Sequence, residues 1–214
     1  MNEVKLVSVI FVMCSKAEAS GPGGGAAGAL HQAPLSQRGI RFARRLAKAM
    51  ALSDEDALVA GPMLRALQTA ELWAGDSGCA RFVHPLAGPR PYPLRFKLPP
   101  QAWDPPLEPK RMAAEFPAFL LPAGLPEHLW LQGIASMPGP LLAQHAATML
   151  GWCRSLEKRR VFIVTDEGTI SSYRQLFASS IREVSDMPEA MLEAGTGTFW
   201  ALAGESDRSS PSAR

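Results

Sequence analysis

The sequence is poor in cysteine, aromatic residues, net charge and long apolar runs, and these shortages exclude several classes of protein. Its 214 residues include three cysteines, Cys14, Cys79 and Cys153, without a C-x-x-C pair. They predict neither a disulfide framework nor a metal site, and they fit a reducing compartment. A net charge of +2 argues against nucleic-acid binding. No apolar run approaches the roughly 20 residues of a transmembrane helix, so no membrane partner is expected.

Proline, in contrast, is abundant, and 14 of the 19 prolines lie between positions 85 and 140. Proline lacks the backbone donor and disfavours a helical residue before it, so this stretch cannot hold long helices or central strands. We interpret residues 85–140 as an irregular insertion in one domain of residues 1–204, followed by a disordered tail, 205–214. The insertion contains four aromatic residues, Tyr92, Phe96, Trp103 and Trp130. These residues predict an apolar lid or a partner-binding surface.

Outside the insertion, apolar strand-like segments alternate with amphipathic helices. The predicted strands are residues 4–13, 57–60, 81–84, 161–165 and 198–203. The first predicted helix has Ser36 as its N-cap and an apolar face of Ile40, Ala43, Ala47 and Met50. The second has the apolar stripe Met63, Leu67, Ala70 and Ala74. Two further helices are predicted over residues 141–156 and 171–181. This order predicts a three-layer α/β/α sandwich with a mainly parallel sheet. Residues 13–16, 61–65 and 165–168 should then converge at the carboxyl ends of the strands.

Residues 4–13 (VKLVSVIFVM) also have a second interpretation, as a secretory signal peptide. Lys5 would form its positive region, and residues 17–19 (AEA) would form its cleavage site. Because Glu3 offsets Lys5, a buried strand and a cytoplasmic protein are the primary expectation, with secretion left open. The glycine-rich residues 20–29 lack the G-K-[ST] ending of a phosphate-binding loop and predict a flexible connector.

The first predicted helix has one strongly basic face. It carries four cationic side chains: Arg41, Arg44, Arg45 and Lys48. A solvated helix face explains them, and docking of an acidic protein partner is the alternative.

Three segments carry recognisable motifs: residues 35–39 (LSQRG), residues 59–71 (VAGPMLRALQTAE) and residues 161–168 (VFIVTDEG). In this order they resemble the L-T-x-x-G, S-P-L-x-R-A-x-Q-T-A and V-x-V-T-H-G motifs of the histidine phosphatase superfamily, which includes phosphoglycerate-mutase-like proteins. The resemblance covers about residues 4–75 and 140–203. It implies a phosphoglycerate-mutase-like fold and an ancestry in phosphoryl transfer without a cofactor.

The resemblance ends at the residues that would perform the chemistry. The family's first strand ends in R-H-G, and those positions fall on Met13, Cys14 and Ser15. The second histidine falls on Asp166, which Glu167 follows, and Arg65 is the retained basic residue of the pocket. The resemblance implies a ligand pocket formed by Met13, Ser15, Lys16 and Arg65. The family's general acid follows the third strand, where the nearest candidates are Asp104 and Glu108.

These changes predict a pseudoenzyme that binds a small anionic ligand or a protein partner, with Arg65 and Asp166 paired in the former phosphate site. The alternative is an active phosphomonoester hydrolase with a rearranged pocket, in which Cys14, Asp166 or Glu167 takes a new role. For Cys14, neighbouring Lys16 and Arg65 would lower the thiol pKa, whereas an inert cysteine is the simpler interpretation. The four histidines, His31, His84, His128 and His145, occupy no identifiable strand end, although His31 follows the first strand closely.

Overall fold

A computed structural model of the chain describes residues 8–14, 32–92 and 106–178, and the backbone of residues 181–183 and 200–202. Several sequence predictions lie outside these residues. They concern the start of the first strand, the glycine-rich loop, the tail, and the side chains Ser15, Lys16, His31, Phe96, Trp103 and Asp104.

The described residues form a sheet of six strands in the order β3-β2-β4-β1-β6-β5. The strands are β1 (Ser8–Met13), β2 (Asp56–Ala60), β3 (Ala80–Val83), β4 (Arg160–Thr165), β5 (Ile181–Glu183) and β6 (Trp200–Leu202). β3, β2, β4 and β1 run parallel, whereas β6 is antiparallel to β1 and β5 is antiparallel to β6. The prediction of a mainly parallel sheet is therefore confirmed.

Six α-helices and one short 3-10 helix, Pro85–Ala87, connect these strands in the described ranges. The α-helices are α1 (Gln37–Ala49), α2 (Leu64–Ala74), α3 (Pro109–Glu115), α4 (Glu127–Gln132), α5 (Gly139–Ser155) and α6 (Glu167–Leu176). Among them, none has both the length and the apolar content needed to cross a bilayer.

The two faces of the sheet are each covered by helices, because alternate strand residues are apolar on both sides. Ile10, Val12 and Phe162 face a core cluster that includes residues of α1, α2 and α3. Phe11 and Ile163 face a second cluster that includes residues of α5 and α6. This arrangement is the predicted three-layer α/β/α sandwich.

Several predicted boundaries and one helix face are wrong. α6 begins at Glu167 and ends at Leu176, because Asp166 caps its first turn, whereas residues 181–183 form β5. In α1, Ser36 is the N-cap as predicted, and its side chain accepts a hydrogen bond from Gly39 N. The buried face of α1, however, consists of Gly39, Phe42, Ala43 and Leu46. The centre of the buried face lies one position closer to the N-terminus than predicted; Ala43 is shared, and Ala47 and Met50 are partly buried at its edge.

The described part of the insertion contributes to both cores. It has only short helices, α3 with 7 residues and α4 with 6, as its proline content requires. Leu107, Met112, Phe116 and Phe119 join one core cluster, and Leu129, Ile134 and Met137 join the other. Trp130 is buried, and Tyr92 is half exposed. Trp130 therefore belongs to the domain interior and not to an apolar lid, whereas for the half-exposed Tyr92 a lid or a partner-binding surface stays a prediction.

A buried ion pair joins β2 to β4 at their first residues. Asp56 is fully buried, and Arg160 donates to its two carboxylate oxygens from Nε at 2.7 Å and from Nη2 at 2.8 Å. Asp56 also accepts a hydrogen bond from Ser53 N. Burial alone would raise the pKa of Asp56, but these hydrogen bonds and the Arg160 charge hold it below its usual value. The pair therefore fixes the relative register of the two central strands.

Candidate functional site

Three chain segments meet at the carboxyl end of the parallel strands. β1 and β4 pair with Met13 opposite Thr165, and Cys14 N donates to Thr165 O at 2.6 Å. β2 continues from Ala60 into Gly61, whose N–H donates to Val164 O at 2.9 Å, and α2 begins soon afterwards. This geometry places Cys14, Arg65 and Asp166 at one site, as the strand order of an α/β sheet predicts.

Arg65 is the centre of this site. Its Nη2 lies 3.9 Å from Asp166 Oδ2, and both side chains are largely buried. The guanidinium also lies close enough to the Cys14 thiol to act on its pKa. Its Nε is buried and has no hydrogen-bond partner among the described residues. The Arg65–Asp166 ion pair predicted from the sequence is therefore present.

Cys14 is a protonated thiol at neutral pH. Burial raises its pKa to about 11, and the charge of Asp166 adds to this, although Arg65 acts in the opposite direction. Among the described residues the raised pKa agrees with the interpretation of an inert cysteine and not with the alternative of a lowered thiol pKa, because desolvation of the thiolate outweighs the attraction of Arg65. A thiol in this state is a poor nucleophile.

Asp166 has a structural task as N-cap of α6. Its Oδ1 accepts a hydrogen bond from Thr169 N at 2.8 Å. Burial raises the pKa of Asp166, although hydrogen bonds from Thr169, the Arg65 charge and a backbone hydrogen bond from Arg90 oppose the rise. Asp166 therefore combines a capping role with the acidic half of the ion pair.

The other predicted site residues that the structure describes, Met13, Glu167 and Glu108, do not join this group. Met13 packs with the core cluster of α5 and α6. Glu167 is exposed in the first turn of α6. Glu108 is exposed at the N-cap position of α3 and lines a separate cavity of about 350 Å³ with Gln32, Trp130 and others. Ser15, Lys16 and Asp104 lie outside the described residues, so their part in the pocket stays a prediction.

His84 corrects the expectation that no histidine follows a strand. It comes directly after β3, is 1% exposed, and accepts a hydrogen bond at Nδ1 from Leu86 N at 3.2 Å. Its ring lies 4.9 Å from that of Trp152, and burial lowers its pKa to about 4. His84 therefore is a neutral, structural histidine. His128 is exposed and His145 is half-buried.

Hydrogen bonds hold the chain after β3 against the end of β4 and the start of α6. Thr165 Oγ1 donates to Ala87 O at 2.7 Å, and Thr169 Oγ1 donates to Gly88 O at 2.6 Å. A Cβ at Gly168 would overlap the carbonyl of Arg90, so glycine is required for this close approach. These contacts bring the backbone N–H of Arg90 close to the carboxylate of Asp166.

Sequence reasoning missed Arg90, which is 3% exposed. It lies in a proline-rich segment, LAGPRP, that matches none of the motifs and that composition suggests is solvated. The small residues Ala87 and Gly88 before it were the available signal, since they permit close backbone packing.

The described residues contain no group of three or more His, Cys, Asp or Glu side chains that could hold a metal ion.

Comparison with known proteins supports the resemblance. The family model of the histidine phosphatase superfamily (branch 1) matches residues 17–85. None of the curated protein sequences matches the chain.

Similar solved structures include a mutant phosphoserine phosphatase from Entamoeba histolytica in complex with phosphoserine. It is 17% identical at a TM-score of 0.49, with 81% of this chain and 80% of that chain covered. A mycobacterial glucosyl-3-phosphoglycerate phosphatase is 15% identical at a TM-score of 0.46, with 89% of this chain and 85% of that chain covered.

Proposed function

We propose that this chain, a divergent relative of the histidine phosphatases, does not transfer phosphoryl groups and acts by binding a small ligand or a protein partner. The Arg65–Asp166 ion pair carries the proposal. Its 3.9 Å separation places a carboxylate beside the one basic side chain that the family's pocket motif retains here. Anionic phosphate oxygens would have to compete with that carboxylate for the same guanidinium.

The charges of the site support this loss of phosphate binding. By resemblance, one histidine of an ancestral pocket would attack phosphorus, and two arginines and a second histidine would hold the phosphoryl oxygens, whereas this chain has Met13, Cys14 and Asp166 at three of those positions. At about 4 Å and an effective dielectric of about 20, each unit-charge change is worth about 4 kcal/mol before screening. Met13 removes a cation and Asp166 adds an anion, so both changes disfavour a phosphoryl dianion.

The state of Cys14 supports the loss of catalysis. Burial raises the pKa of its thiol to about 11, so the thiolate needed for attack on phosphorus is scarce at neutral pH. In a serine protease, loss of the covalent nucleophile costs about a millionfold in rate, which sets the scale of the effect. Glu167 and Glu108 are exposed, and neither takes part in the Arg65 cluster.

One observation favours a second candidate function, a phosphomonoester hydrolase with a rearranged pocket. Burial raises the pKa of Asp166, and a general acid requires a carboxyl group that keeps its proton to higher pH. In this candidate Arg65 binds the phosphate, Cys14 or a water molecule attacks the phosphorus atom, and Asp166 protonates the leaving oxygen as the P–O bond breaks.

Hydrolysis of p-nitrophenyl phosphate separates the two candidates. We expect the same background turnover for the wild-type protein and for Arg65→Ala, because the wild-type pocket neither binds the phosphate nor supplies a nucleophile. Robust turnover that is lost in Arg65→Ala would overturn the proposal and favour the hydrolase.

A restoration experiment tests the assignment of the site. The triple variant Met13→Arg, Cys14→His and Asp166→His returns the family's motif residues to the pocket, and we expect it to gain vanadate affinity over the wild-type protein. Adding Arg65→Ala to the triple variant is the control and should remove the gain. A folded triple variant with no gain in vanadate affinity would contradict the assignment of these positions.

A further inference from the structure

A second arginine, Arg90, lines a cavity outside the Arg65 site. The cavity has a volume of about 220 Å³ and lies between the chain after β3, the first turn of α5 and the second half of α6. Its polar lining comes from Arg90, Tyr92, Ser172 and Gln175, and no acidic side chain lines it among the described residues. The cavity therefore has a positive wall without a described counter-charge.

Arg90 is a buried cation whose hydrogen bonds are incomplete. It is 3% exposed, and the one hydrogen bond of its guanidinium among the described residues goes from Nη1 to Ile134 O at 2.5 Å. Nε is buried and has no described partner. Burial lowers the pKa of Arg90, and the described charges include no carboxylate that offsets this. Because a buried charge without a partner costs several kcal/mol, such a site favours an anion.

The Arg160–Asp56 pair shows how the Nε–Nη2 edge of a guanidinium binds a carboxylate in this protein. Arg160 uses Nε and Nη2 side by side for the two oxygens of Asp56. In Arg90 the opposite nitrogen, Nη1, is taken by a carbonyl, and Nε has no described partner. Arg90 Nη2 makes no described hydrogen bond, so it is the nitrogen left for an oxygen of a carboxylate or a phosphate, with the enclosed Nε beside it.

The N-terminus of α5 lines the same cavity through Gly139. This helix has 17 residues, begins at Gly139, and has neither a side-chain cap nor an acidic residue in its first turn. The first N–H groups of a helix have no partner within the helix; here Pro140 lacks an N–H, so Gly139 supplies the free N–H on the cavity, at the positive end of the helix dipole. Two independent features, the buried Arg90 and the start of α5, thus line one space.

We propose that this cavity binds the carboxylate or phosphate group of a small metabolite between Arg90 and the N-terminus of α5. At about 30 Å³ per water molecule, the cavity has room for several waters, so the ligand is larger than a bare oxyanion but far smaller than a peptide. Gln175 and Tyr92 are exposed and lie at the rim, where they contact the rest of the ligand. The cavity shares no lining residue with the Arg65 cluster, and the proposal goes beyond the proposed loss of phosphoryl transfer.

Calorimetric titration with inorganic phosphate and with malonate, at constant ionic strength in chloride, tests this site. We expect the wild-type protein to bind one equivalent of at least one of these anions, and Arg90→Met to weaken binding at least tenfold. Gln175→Glu should weaken it to a similar degree, because the new rim carboxylate competes for Arg90. Gln175 is exposed, so this variant tests the site even if Arg90→Met does not fold.

Two controls separate this inference from the proposed function. Gln144→Glu adds the same charge at an exposed position of α5, and it should leave anion affinity unchanged. Arg65→Met should also leave it unchanged. No anion binding by the wild-type protein, or binding that persists in Gln175→Glu, would overturn the Arg90 site alone. Binding that is lost in Arg65→Met but kept in Gln175→Glu would overturn both the Arg90 site and the proposed function.

Discussion

Burial and hydrogen bonding account for the placement of individual polar residues at the carboxyl end of this sheet. Asp166 caps α6, and His84 accepts the N–H of Leu86 in the 3-10 turn after β3. Each residue type alone would permit a catalytic interpretation. What decides between the interpretations is the surrounding protein, which holds Cys14 as a thiol and His84 as a neutral ring.

Because His84 is buried, we expect the free energy of unfolding to depend on pH. Its pKa falls from the usual 6.5 to about 4 on folding, so between these values the unfolded chain takes up a proton that the folded chain does not. The free energy of unfolding is unaffected by His84 above pH 6.5 and falls by about 3 kcal/mol toward pH 4, at about 1.4 kcal/mol per pKa unit. Urea unfolding at a series of pH values measures this slope.

Two variants assign this slope to His84. His84→Asn keeps an acceptor for Leu86 N–H but cannot titrate, so its free energy of unfolding should depend less on pH in this window. His128→Asn changes an exposed histidine of α4 and should keep the wild-type slope. Equal slopes in wild-type protein and His84→Asn would show that His84 is not the titrating group.

At the scale of helices and strands, sequence patterns predicted what depends on local periodicity and missed what depends on distant pairing. The apolar runs of β1 and β4 and the N-cap Ser36 were found, because each pattern is local. β5 was missed because its three residues pair only with β6, far along the chain. The core role of the insertion was missed because proline content argues against regular structure but does not argue against burial.

The helix α3 tests the role of the insertion as part of the core. Met112 is 1% exposed and belongs to the cluster that includes residues of α1 and α2. Met112→Ala should lower the free energy of unfolding by about 2–5 kcal/mol, through lost burial and a cavity. Lys110→Ala, at an exposed position of the same helix, should change it little. An unchanged cooperative urea transition in Met112→Ala would mean that α3 is a detachable lid.

For the molecule as a whole, the sequence determined the site only in part. The motifs placed Cys14, Arg65 and Asp166 together, because the carboxyl ends of parallel strands meet at one edge. They did not predict the protonated state of Cys14, since desolvation depends on residues from many segments that cover the thiol. They also did not predict the Arg90 cavity, which is assembled from three elements far apart in sequence.

Thiol labelling tests whether the cysteines in all parts of the native molecule are closed to solvent. Cys14, Cys79 and Cys153 are free and buried, and burial raises the pKa of Cys14 to about 11 and of Cys153 to about 12. At pH 8 a disulfide reagent should therefore modify the native protein slowly and the urea-unfolded protein quickly at all three thiols. Where labelling requires global opening, Met112→Ala should speed it about tenfold per 1.4 kcal/mol of lost stability, and Lys110→Ala should not. Rapid labelling of native Cys14, identified by peptide mass, would contradict a closed site and would favour the hydrolase candidate.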